Sequence, residues 1–364
     1  MSKITSIATS LPEFKHTQDD LYKFSDNIYS SNETDSRKLK FIYHQSGIST
    51  RYSVIPDYSS PREQWTFFPP SKDLEPFPAI EQRMKFYSKE AAKLSISAIE
   101  KCIGTKISKT DITHLITVSC TGMSAPGLDL DIIEQMGLPK NIVRSSVNFM
   151  GCYAAIHAMK IADAFCKSSS AANVIVVCTE LCTLHFQKDI SVDNITASLL
   201  FSDGCAAMLF QNDVAEKGIT LRNFFSDVSF KGRQDMAWEI SSKGFLMTLS
   251  GFVPDLIKED FEELVTTSLK NAGKTKADIT HWCIHPGGKK ILDTIVRSLA
   301  IDNKALQHSY TVLNDYGNMS SATIVFVLQK ILEELSAEPL QEATIFGAAF
   351  GPGLTMETFT ATYG

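Results

Sequence analysis

The 364-residue sequence contains eight cysteines but no Cys-x-x-Cys pair and no cysteine–histidine grouping at metal-ligand spacing. Cys178 and Cys182, in CTELC, come closest. Neither a structural zinc site nor a disulfide framework is therefore expected, and free thiols in a cytoplasmic protein fit the pattern. No uncharged apolar run approaches the ~20 residues of a membrane-spanning helix. The opening MSKITSIATSLPEF has no basic segment followed by an apolar one, so no secretory signal is expected. Positive charge is also short: 35 Lys and Arg face 41 Asp and Glu, a formal net charge of −6. That balance argues against nucleic acid or an anionic membrane as the main partner. Apolar residues make up 44 % of the chain, ample for a large core in a chain longer than one ordinary domain.

The most informative stretch is SSVNFMGCYAAIHAMKIADAF, residues 145–165. Ser146–Met150 reads as a short buried strand, Gly151 as a sharp turn, and Cys152–Lys160 as an Ala-rich helix. Cys152 then lies on the first turn of a helix, where unpaired N–H groups and the helix dipole favour an anion. Such a place lowers a thiol pKa and makes a nucleophile. Inert packing is the ordinary fate of a cysteine, so the rest of the chain must decide.

In order, Lys3–Ser10 reads as a strand and Thr17–Tyr29 as an amphipathic helix. Residues 53–79, rich in proline and aromatics, read as an irregular surface or lid segment. Helix is expected over Arg83–Ile103 and Asp129–Met136, and buried strand over Asp111–Cys120, Asn173–Thr179 and Cys205–Phe210. The second half then echoes the first. KTDITH ending at His114 returns as KADITH ending at His281, their aspartates 167 residues apart. NFMGC, ending at Cys152, is matched by NDYGN, ending at Asn318, 166 residues on. Two echoes in nearly one register indicate two fused copies of an α/β unit, residues 1–220 and 221–364.

The duplication bears on chemistry. It sets Cys152 and Asn318 at equivalent strand-to-helix corners, able to face one cleft. His285, in IHPGG, follows the repeated strand and precedes a helix over Lys290–Leu299, so the turn can present an imidazole. A lone turn histidine or asparagine is more often a solvated or capping residue. Together with a cysteine they make a thiolate nucleophile, an imidazole partner and an amide donor for an oxyanion.

The stretches GCYAAIHAMKIA, WCIHPGGKKIL, DYGNMSSA and FGPGLTMET resemble the thiolase superfamily, and within it the chalcone synthase-like type III polyketide synthases. The resemblance implies a five-layer αβαβα thiolase fold in a homodimer, with no metal or organic cofactor. It implies condensation of malonyl-CoA onto a starter acyl thioester with loss of CO₂, then cyclisation to a pyrone, resorcinol or related phenolic. A single-round β-ketoacyl synthase and a non-catalytic acyl-thioester binder are the alternatives.

By the resemblance, Cys152 carries the chain, while His285 and Asn318 activate it and stabilise the enolate. Phe201 matches the aromatic at the junction of CoA tunnel and cavity, and Gly351-Pro352-Gly353 the loop shaping the cyclisation pocket. Cys120 falls where plant chalcone synthases have threonine. Met247 replaces a second gatekeeper phenylalanine, Trp238 the small residue that opens the starter pocket, and His185 a pocket threonine. Of three basic CoA contacts only Lys38 is matched; Phe41 and Gln45 stand at the others, which leaves an acyl carrier protein as a conceivable starter donor. The bulk of Trp238 leads to an expected preference for an aliphatic, small or malonyl starter over a phenylpropanoid.

Overall fold

The computed structural model describes residues 2–212, 214–337 and 342–364. The sequence echo becomes a structural one. Ser108 and Thr275 each begin a capping box onto Asp111 and Asp278, and each leads through one 3₁₀ turn into a strand that starts at His114 or His281. Thr113 and Thr280 then repeat the same contacts, each hydroxyl lying 2.8 Å from the Nδ1 of the next histidine.

Nine strands form one mixed sheet. From one edge the order is His281–Ile284, Ala343–Gly351, Thr355–Tyr363 and Ile219–Val228. It continues through Ser2–Ser10, Asp203–Asn212, Asn173–Leu181 and His114–Ser119 to Val143–Asn148. The seam between these two sets has only two residue pairs, Lys3↔Thr220 and Ile4↔Ile219. Outward from the seam both sides run antiparallel, antiparallel, then parallel. The first half adds a further parallel edge strand, Val143–Asn148. Residue 220, where the sequence divides the halves, lies inside the strand Ile219–Val228.

Helices Ala154–Ser168 and Ser321–Ala337 pack together within one apolar cluster that joins Met159 and Ala162 to Val325 and Leu328. Alanines at 154, 155, 158 and 162 let the first of them sit close to its neighbours. On the outer side, Ile80–Ile103 covers the strands Ser2–Ser10, Asp203–Asn212 and Asn173–Leu181, and Val253–Asn271, packed with Lys289–Leu299, covers Ile219–Val228 and Thr355–Tyr363. This is the expected αβαβα order. Each fully buried aliphatic side chain in these layers contributes about 1.5–3 kcal/mol relative to exposure.

Several local expectations need correction. The strand before Gly151 is not buried: Val143–Asn148 lies at the sheet edge, with only Val147 buried. The helix after Gly151 begins at Ala154, because Tyr153 is its N-cap residue. The corner before Asn318 follows a helix, Gln307–Tyr316, instead of a strand. Residues 53–79 are irregular and partly exposed as expected, but they are pinned to the body by their aromatics. Phe67, Phe68 and Leu74 are almost fully buried. Phe68 packs against Phe24 at 5.5 Å and Phe186 at 5.7 Å, while Asp57 accepts the backbone N–H groups of Thr66, Phe67 and Phe68. Proline prevented regular structure there, but the aromatics still sought the core.

Candidate active site

Cys152 is held at the end of a tense connection. Strand Val143–Asn148 is followed by Phe149 with φ 60° and Gly151 with φ 83°. A side chain at Gly151 would meet both a left-handed backbone and Pro352, whose Cδ lies 2.1 Å from where a Cβ would stand. Glycine is thus required twice over. Its N–H donates to the Sγ of Cys120 at 2.9 Å. Cys152 itself precedes the N-cap of Ala154–Ser168, with the side chains of Ser320 and Asn318 beside its thiol.

His285 follows strand His281–Ile284, its N–H donating to the Ala348 carbonyl at 2.9 Å. It is 1 % exposed, yet neither Nδ1 nor Nε2 has a hydrogen-bond partner. Asn318, 2 % exposed, is oriented by its Oδ1, which accepts the Ser320 N–H at 2.8 Å. That leaves the amide NH₂ to donate. Gly317, φ 68°, supplies the turn before it and is wedged against Arg51. Phe201 caps the helix Val192–Leu200 and is bridged by its backbone to Asn318.

Burial dominates the electrostatics. It pushes the Cys152 thiol up to about 12, against the smaller opposing effect of the Ser320 hydroxyl, and the His285 imidazole down to about 3. Burial thus favours a neutral thiol and a neutral imidazole over the ion pair that a helix N-terminus alone suggests. Glu180, also buried, is raised to about 7 and accepts from the Cys120 N–H, the Thr121 hydroxyl and the Ser321 hydroxyl. Its charge opposes ionisation of both Cys152 and Cys120.

One cavity collects Cys152, His285 and Asn318, with Cys120, Phe201, Trp238, Met247 and Pro352 on its walls. It encloses about 650 Å³ of empty space, its mouth included. Trp238 is fixed there by its indole N–H, which donates to the Cys120 carbonyl at 2.7 Å, and it pairs across a hairpin with Met247. Gly351 and Gly353 flank Pro352 without lining the cavity. His185 does not line it either. Its Nδ1 accepts the Phe245 N–H at 3.0 Å and its Nε2 donates to the Thr121 carbonyl at 2.7 Å, so the ring is neutral and structurally committed. Lys38 is exposed on the helix Glu33–Gln45, outside the cavity. Sequence reasoning missed Glu180, Ser320 and Cys182; the one available signal was a carboxylate within the apolar strand Asn173–Leu181.

Among the described residues, no cluster of His, Cys, Asp or Glu is arranged to hold a metal, and no helix is long and apolar enough to cross a membrane. The N-terminal domain of chalcone and stilbene synthases matches residues 1–214, and their C-terminal domain residues 226–362. The chain belongs to the chalcone and stilbene synthase family. It is 31 % identical over 364 residues to a probable polyketide synthase of Dictyostelium discoideum, covering 98 % of this chain but only 11 % of that protein. An alpha-pyrone synthesis polyketide synthase-like protein of Mycobacterium tuberculosis is 31 % identical over 327 residues, 88 % of this chain and 81 % of the relative. The type III domain of a Dictyostelium type I/III hybrid superposes with TM-score 0.89 at 29 % identity, covering 99 % and 98 % of the two chains. A polyketide synthase of the brown alga Ectocarpus siliculosus gives TM-score 0.92 at 24 % identity over 99 % and 97 %, a likeness of fold. As a member of this family the chain is a type III polyketide synthase.

Proposed function

We propose that the chain extends an acyl thioester with malonyl-CoA by decarboxylative Claisen condensation, then cyclises the product to a pyrone, resorcinol or related phenolic, without metal or organic cofactor. The observation that carries this reading is the meeting of a thiol, an unpartnered imidazole and an oriented amide in one apolar cavity. In loading, Cys152 attacks the thioester carbonyl as its proton passes to His285, and CoA leaves as the thiol. Malonyl-CoA then loses CO₂, and the electron pair of the broken C–C bond becomes an enolate. Donors from Asn318 and His285 stabilise its oxygen, and removal of such a donor typically costs about 2.7–4 kcal/mol of barrier. The enolate carbon attacks the acyl carbonyl, and Cys152 is released as the product returns to CoA.

Asn318 at the second corner also suits this chemistry. Decarboxylation makes the enolate without a base, so an amide suffices where deprotonation of acetyl-CoA would need one. Active-site closure to water rests on the apolar wall of Phe201, Trp238 and Met247. We read the molecule as a homodimer of two-unit chains. The edge strand Val143–Asn148 presents its backbone and an exposed Val143 to a second copy. A carrier protein as starter donor is the accompanying reading of the exposed Phe41.

The test is incubation with malonyl-CoA and a panel of acyl-CoA starters, followed by mass spectrometry. Pyrones or resorcinols support the reading. A single β-ketoacyl product indicates one-round synthase chemistry, and absence of CO₂ release indicates a non-catalytic binder.

A further inference from the structure

A second cavity adjoins the catalytic one. It encloses about 550 Å³ of empty space with its mouth, and Cys182, Phe201, Trp238 and Met247 are shared walls. Its far side sets Ser25, Arg51, Gln187, Asn194 and Ser198 among apolar walls that include Leu21, Phe186 and Phe245.

Two buried groups on that side are unspent. Arg51 is 3 % exposed. Its Nε donates to Gln18 Oε1 at 3.1 Å and its Nη1 to the Phe201 carbonyl at 2.6 Å, but Nη2 has no partner. Among the described residues no carboxylate forms an ion pair with it. The neighbouring Tyr43 hydroxyl, which pairs with Ser25 at 2.6 Å and Ser198 at 2.9 Å, also supports the guanidinium, and the charge of the buried Asp203 favours it from further off. Gln187 donates through Nε2 to the His185 and Lys243 carbonyls, while its Oε1 is unpaired. A buried guanidinium with no carboxylate in direct contact is under-compensated, and its planar fork suits a carboxylate better than any neutral group.

We propose that this cavity receives a carboxylate carried at the far end of the acyl chain, so that an ω-carboxyacyl thioester is the preferred starter. The inference rests on Cys152 being the acyl carrier. With the thioester on Cys152, the chain passes the shared wall of Phe201, Trp238 and Met247 and ends on Arg51 Nη2. Gln187 Oε1 accepts from a water that completes the carboxylate's shell. A methyl-terminated chain of equal length would bury its end against these polar groups and leave the guanidinium unpaired.

The experiment compares CoA esters of matched length, adipoyl with hexanoyl and succinyl with butyryl, in wild type, Arg51→Met and Asn194→Leu. The last fills the cavity from the helix Val192–Leu200 without touching Arg51, and so stands in should Arg51→Met fail to fold. Loading is read by intact mass of the acyl-enzyme, and extension separately by product formation with malonyl-CoA. The expected result is a preference of at least ten-fold for the carboxylate esters in wild type, reduced to below two-fold in either variant. Equal loading of the two series by wild type overturns the proposal, while extension of hexanoyl would leave the synthase reading standing. Loading with this preference but no extension would sink the synthase reading and support the carboxylate site. Free adipate and free hexanoate are tested in parallel by thermal melting. Stabilisation by free adipate without ester selectivity would mark a site for a separate carboxylate and overturn the acyl-chain assignment.

Discussion

Asn318 and Phe201 are backbone neighbours across 117 positions of sequence. The Asn318 N–H donates to the Leu200 carbonyl at 3.0 Å, and the Ser202 N–H donates to the Asn318 carbonyl at 2.9 Å. The aromatic at the cavity wall and the amide in its floor therefore share one rigid support, and a shift in either displaces both.

Ser202 is the clamp on that support. Its Oγ accepts the Tyr52 N–H at 2.9 Å and donates to the Tyr52 carbonyl at 3.0 Å in a buried setting. Ser202→Ala should lower stability by about 1–3 kcal/mol, since it strands a buried N–H. Thermal melting reads the loss, and an unchanged midpoint would show that the clamp carries no load.

Cys152→Ala should keep the fold, judged by circular dichroism, and abolish condensation. In wild type given a starter acyl-CoA, peptide mass spectrometry should find the acyl adduct on Cys152. An adduct on Cys120 or Cys182 instead, both of which line the same cavity, would reassign the nucleophile. Asn318→Ala should slow malonyl-CoA decarboxylation by about 10²–10³-fold.

The thiol and imidazole make a pH prediction. With Cys152 raised to about 12 and His285 lowered to about 3, both by burial, the thiolate fraction is small at neutrality and grows with pH. Alkylation of Cys152 by iodoacetamide without substrate should accelerate steadily from pH 6 to pH 9. A rate already flat across that range would mean a preformed ion pair. Glu180→Gln removes a charge that opposes thiolate formation; since burial raises Glu180 to about 7, the alkylation rate should rise above pH 7 and change little at pH 6.

Trp238 is anchored to the Cys120 carbonyl at 2.7 Å and stands on the wall of both cavities. Wild type should therefore use acetyl- or hexanoyl-CoA better than coumaroyl-CoA, and Trp238→Gly should move kcat/KM toward the aromatic ester. An unchanged ranking would remove Trp238 as the gate.

Gly151→Ala should yield little active protein. Its φ of 83° and the Pro352 contact at 2.1 Å act together. Pro352→Ala in the same chain relieves the contact but not the backbone, so at most partial recovery of soluble yield is expected.

Much of this was legible in the chain. The KTDITH and KADITH echo reported real structural equivalence because capping, turn and strand are all local. Gly151 and Gly317 signalled their corners for the same reason, as turns demanding positive φ. What sequence hid lies in contacts between distant segments. Glu180 sits in an apolar strand, and only the folded chain brings Cys120, Thr121 and Ser321 to its carboxylate. His185 does line the adjoining cavity, but Thr121 and Phe245 consume both of its nitrogens. The proline-rich segment has no periodicity from which to read an inward face, and the burial of Phe68 is set by Phe24 and Phe186 from elsewhere.

The seam of two residue pairs, Lys3↔Thr220 and Ile4↔Ile219, has a consequence for biosynthesis of the protein itself. The thiol lies on one side of it, and the imidazole and amide lie on the other. A growing chain with only its first half complete has the cysteine but neither partner. It also lacks Pro352, which closes over Gly151. Such an intermediate would hold Cys152 with neither His285 nor Asn318 beside it, and the wall around the thiol closes only once strands Ala343–Gly351 and Thr355–Tyr363, which flank Pro352, join the sheet.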